Sequence, residues 1–170
     1  MRDLKPISAD AIARSLARAE RYRLLNEPLE AESICRDVLR AEPGNHEARV
    51  TLLLALTDQF GRVRSVGLNE ARAVLGDLPT EYDRAYYAGV ISERWAKALL
   101  RDRALGHIVH DWVREAMSFY EIAEPLSPPG NEDAVLRWNA CVRLLERETG
   151  VTPRIDEEPG LDIGDSGPQR

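Results

Sequence analysis

The chain has 170 residues, 44% of them hydrophobic and 31% charged, with a formal net charge of −6. That is long enough for one domain with a substantial core, and the acidic balance argues against general nucleic-acid binding, which needs a basic surface. Ala, Leu, Arg and Glu dominate and aromatics are only 6%, which favours helix over sheet.

Seven helical segments follow from the spacing of apolar residues and the turn signals between them. The first starts near Ser8 as N-cap, carries Ile12, Leu16 and Ala19 on one face, and ends near Asn26. Pro28 opens the second, where a missing N–H costs little. Its Ala31, Ile34, Cys35, Val38 and Leu39 form a one-sided stripe, and Pro43-Gly44 stops it. Asn45 caps the third, with Ala48, Leu52, Ala55 and Leu56 inward and Gly61 closing it. A short fourth helix spans about Asn69 to Leu78. Thr80 with Asp83 forms a capping-box-like start to a long fifth helix, which is expected to end near Gly106. The sixth carries Ile108, Val109, Trp112, Val113, Ala116 and Tyr120 and stops at Pro125. The seventh carries Ala134, Val135, Trp138, Cys141, Val142 and Leu145, with Gly150 as terminator. Residues 1–149 are therefore expected as one helical domain. Residues 150–170, rich in Pro, Gly and acids, are expected as a disordered acidic tail.

One loop occurs twice. Pro43-Gly44-Asn45-His46-Glu47-Ala48 returns as Pro129-Gly130-Asn131-Glu132-Asp133-Ala134, each copy between two amphipathic helices. Repeated joints mean repeated units. The stretch from Ile12 to Asn45 resembles a tetratricopeptide repeat, with Ala19, Tyr22, Ala31, Cys35 and Pro43 at that family's spacing. A second unit places Leu52, Leu53 and Leu56 at the corresponding positions, Leu53 departing from the usual small residue. In a third, Gly89 fills the small position and Ala116 with Tyr120 the Ala–aromatic pair. The resemblance covers roughly residues 8 to 149, with insertions stretching the middle units.

The resemblance implies an all-α solenoid, a right-handed superhelix of about three antiparallel helix pairs plus a capping helix. It also implies a function: a non-catalytic adaptor or scaffold that binds a protein or peptide segment in a concave groove. The first helix of each pair lines that groove, which selects Glu20, Arg23, Val50, Leu54, Asp58, Tyr86, Val90 and Arg94 as binding residues. For Val50, Leu54 and Val90, packing against the next helix fits equally well. One subclass grips acidic chaperone C-termini through a Lys and an Asn on the first helix. Leu16 and Glu20 stand at those places, so that mode is not expected. The other readings are an assembly or secretion chaperone for a partner subunit and a self-associating module, a homo-oligomer joined through the exposed apolar end of the superhelix or through the Trp138 helix.

Catalytic patterns are missing. There is no nucleophile–His context and no glycine-rich phosphate loop. His107, His110 and Asp111 have a helical spacing that could begin a metal site, but core-type residues surround them and no distant ligand completes the set. Cys35 and Cys141 sit in apolar stripes and read as small core residues, without a disulfide framework. No enzyme activity, metal or cofactor is expected. No apolar run follows Met1, and the longest, Leu52 to Leu56, is far too short to span a membrane, so a cytoplasmic protein without a membrane partner is expected.

Overall fold

The computed structural model describes residues 3–61 and 66–154. All regular structure among them is helical: α1 (Ile12–Leu24), α2 (Pro28–Ala41), α3 (His46–Thr57), α4 (Val66–Gly76), α5 (Glu81–Arg101), α6 (Gly106–Ala123) and α7 (Asp133–Arg147). Short 3-10 turns precede α1 at Ala9–Ala11 and follow α6 at Glu124–Leu126. Ser8 precedes the first of these turns but its side chain caps nothing. Each helix packs on the next in the chain, most extensively α5 on α6, and α1 also touches α3 as α3 touches α5. No helix among the described residues is long and apolar enough to cross a membrane.

The local signals act as their chemistry demands. The Asn45 Oδ1 accepts the Ala48 N–H at 2.8 Å and so satisfies one orphan donor of α3. The Thr80 Oγ1 accepts the Asp83 N–H at 2.9 Å, while its own hydroxyl donates to the Asp83 carboxylate at 2.6 Å. The two Pro-Gly-Asn loops share residues but not geometry. Only Gly130 has a left-handed backbone (φ 81), and its neighbour Asn131 accepts from the Asp133 N–H two residues on.

α5 is shorter than its sequence suggests. Arg103 takes φ 56, the Ala104 N–H reaches back to the Leu99 carbonyl at 3.0 Å, and the helix closes there. The same closure follows α1, where Asn26 has φ 63 and the Glu27 N–H bonds the Tyr22 carbonyl at 2.9 Å. Asn at that position is an expected left-handed residue; Arg is not, which hides the end of α5 from composition. Gly106 instead opens α6. A Cβ there would collide with the Gly150 carbonyl oxygen, so α6 can begin against the exit of α7 only with glycine. Val151 is buried just beyond, so the packed body reaches past residue 149, and the tail from residue 155 lies outside the described residues.

Two main apolar clusters share α5. One side of it sends Ile91 and Ala98 into a cluster with Ala19, Ala31, Cys35, Leu52, Leu53 and Leu56. The other sends Val90 and Ala96 against Val109, Val113, Tyr120, Cys141 and Leu144. Small residues set the helix spacing. Ala19, Ala31 and Cys35 are fully buried where α1, α2 and their neighbours cross.

Candidate interaction surface

Three helices contribute to one polar cluster. Arg23 at the end of α1 donates through Nε to the Asp58 Oδ2 at 2.8 Å, and Arg94 of α5 donates to the other Asp58 oxygen. Arg94 Nη1 also reaches the Thr57 Oγ1 at 2.7 Å and the Leu54 carbonyl at 3.2 Å. α3 has no basic residue in its last turn. Arg94 therefore supplies from another helix the cation that its carbonyl end favours. Burial lowers the Arg94 pKa, with Asp58 opposing it; the guanidinium stays charged in either case. The three side chains keep about a fifth of their area in water.

The remaining predicted site residues divide by burial. Glu20 is exposed, and Val50, Leu54 and Tyr86 are half-buried. Tyr86 stacks on Tyr82 with centroids 5.6 Å apart and meets Tyr87 edge-on at 5.0 Å. Val90 is only 1% exposed and packs in the core, so a ligand on the surface does not touch it. The structure thus joins Arg23, Leu54, Asp58 and Arg94 directly through hydrogen bonds. Tyr86 lies in a neighbouring aromatic group, and Glu20 makes none of these contacts.

Beside this cluster lies a group that the sequence pattern does not announce. Glu93 is 1% exposed. It accepts from the Tyr120 hydroxyl at 2.6 Å, from Lys97, and from Arg137 of α7 at 3.4 Å. Burial alone raises a carboxyl pKa, but Lys97, Tyr120 and Arg137 outweigh it and hold Glu93 below its ordinary value. Its one sequence signal is a single acid inside the small-residue stripe Ala85, Ala88, Gly89, Ser92 and Ala96 of α5. Gly89 matters to the same knot: a Cβ there would stand 2.5 Å from Tyr120 Cε1. Only glycine lets the Tyr120 ring come this close to α5 and deliver its hydroxyl to Glu93.

The other candidates carry little chemistry. His110 Nδ1 is 3.7 Å from the Asp111 carboxylate, beyond hydrogen-bond range, and His107 is half-buried. No group of three or more His, Cys, Asp or Glu among the described residues is placed to hold a metal ion. Cys35 and Cys141 are free and buried, and burial pushes each thiol up to about 12, so neither is a nucleophile near neutrality. No protein-family model matches the chain, and no significantly similar curated protein or solved structure was found.

Proposed function

We propose that this chain is a non-catalytic helical-repeat module that holds a polypeptide segment on the face shared by α1, α3 and α5, in the manner of tetratricopeptide repeats. The observation that carries the reading is the meeting of side chains from three alternate helices on one partly exposed surface, with Asp58 clamped between Arg23 and Arg94. Alternate helices meeting in this way, α1 on α3 and α3 on α5, favour stacked helix pairs over a closed bundle. The small-residue spacing at Ala19, Ala31 and Cys35, all fully buried, supports the same arrangement.

On this surface the ion pairs serve as a rigid floor, because Arg23, Asp58 and Arg94 already satisfy one another. Anchoring falls to the half-buried Val50, Leu54 and Tyr86, which suits an extended or helical peptide bearing apolar side chains. Val90 is left out, since the core already holds it.

A random-peptide library panned against the protein tests this. Burying Leu54 or Tyr86 against a ligand is worth roughly 1.5–3 kcal/mol, so enriched peptides should bind folded Leu54→Arg and Tyr86→Ala variants at least about tenfold more weakly. Equal binding by both folded variants would remove this face as the site.

A further inference from the structure

We propose that the two ends of the helix array are complementary, so that the chain associates head to tail with further copies of itself. The arginine face of α1 would seat in the acidic groove between α6 and α7. This rests on other residues than the face proposed above and stands independently of it.

The first end is α1. Its outer side presents Arg14, Arg18 and Arg21 around the small Ala17, with Tyr22 and Leu25 completing a shallow groove. None of these three arginines forms an ion pair with a described residue. The helix carries four arginines against one acid, Glu20, in a protein whose net charge is −6. The opposite end is a groove lined by Glu121, Glu124, Val135, Trp138 and Asn139. Residues 121–133 hold four carboxylates and no Lys or Arg. Glu121 accepts from the Trp138 indole N–H at 3.0 Å and, like Glu124, has no cationic partner among the described residues.

Geometry and apolar exposure match the charges. Arg14 and Arg18 stand one turn apart on α1, about 5–6 Å between their Cβ atoms, and Glu121 near the end of α6 is followed three residues on by Glu124, which opens the 3-10 turn after it. Ala17 leaves room between the arginines for a bulky side chain such as Trp138. Nine large hydrophobic side chains are exposed among the described residues. Six lie in the elements around these two grooves: Leu24 and Leu25 at the end of α1 and Leu29 at the start of α2, then Ile122 of α6, Leu126 in the turn after it and Leu136 of α7, with Leu25 in the groove itself. α1 and α7 are the first and last helices of the array, and α7 rests mainly on α6, so each end lacks a neighbour on one side. Two different patches that fit each other make a heterologous contact, which grows into open chains or rings instead of stopping at a symmetric pair.

Sedimentation and light scattering at about 0.01 M salt, where the Debye length is ~30 Å, test it. The weight-average mass should rise with concentration beyond twice the monomer's 19.1 kDa and return to monomer at about 1 M salt. Two folded variants silence one end each: Arg14→Ser/Arg18→Ser/Arg21→Ser, and Glu121→Gln/Glu124→Gln. Each alone should remain monomeric. Mixed in equal amounts they should form a one-to-one dimer, because each contributes the end that the other lost. Wild type that stays monomeric, variants that associate as wild type does, or a mixture that remains two monomers would each overturn the proposal.

Discussion

Replacing Gly89 by alanine isolates the contact on which the α5–α6 packing depends. The added methyl carbon would lie 2.5, 2.7 and 2.9 Å from Tyr120 Cε1, Cδ1 and Cζ. Carbon atoms prefer about 3.5–4.0 Å, so ring or helix must retreat by roughly 1 Å. The ring has little freedom, being 1% exposed, tied to Glu93 at 2.6 Å and close to Tyr86 at a centroid distance of 5.9 Å. Overpacking of this kind costs about 1–3 kcal/mol, and movement of the ring also strains the hydroxyl bond to a buried carboxylate, worth a further ~1–2 kcal/mol. Alanine's better helix propensity returns about 1 kcal/mol. The net expectation is a loss of roughly 2 kcal/mol, or a Tm lowered by about 4–8 °C for a domain of this size. Thermal and urea unfolding followed by circular dichroism would measure it. Gly76→Ala is the control, since nothing lies within 4 Å of a Cβ there, and it should leave stability unchanged or slightly raised. A Gly89→Ala protein as stable as wild type would refute the reasoning about Tyr120.

Other consequences follow from the polar groups and the thiols. Because Glu93 is held below its ordinary pKa of 4.5, it stabilises the fold above that value, and the contribution drains away as pH falls through its lower folded-state pKa. Glu93→Gln should therefore be less stable than wild type at pH 7, with the gap narrowing below about pH 4; parallel stability–pH curves would contradict this. Asp58→Ala leaves Arg23 and Arg94 facing each other without their shared counter-ion, and should cost about 1–2 kcal/mol. The loss should shrink in high salt, and chemical denaturation at two salt concentrations shows whether it does. Cys35 and Cys141, both buried, should resist a thiol-specific reagent at pH 8 until the protein unfolds; prompt labelling of native protein would show that the core around them opens.

The helix pattern was legible because its causes are local. A stripe such as Ala31, Cys35 and Val38, a proline at the first position of α2, and caps at Asn45 and Thr80 act within a turn or two of chain. All seven α-helices among the described residues were therefore countable from sequence, and misreadings fell at their ends. The end of α5 was obscured because an arginine takes the left-handed position that usually marks itself with Gly or Asn.

Tertiary packing decided what those helices do to one another. The repeat resemblance places Leu54 and Val90 alike on the groove-lining face, yet the first keeps an exposed edge and the second loses its surface to α5's neighbours. The bonds that join Arg23 and Arg94 to Asp58 span 35 and 36 residues, and that from Tyr120 to Glu93 spans 27. Charged side chains carry no local mark of their partner. Only the closing of helix on helix, which removes water around Glu93 and leaves it around Arg14 and Glu121, separates buried pairs from charges still facing solvent.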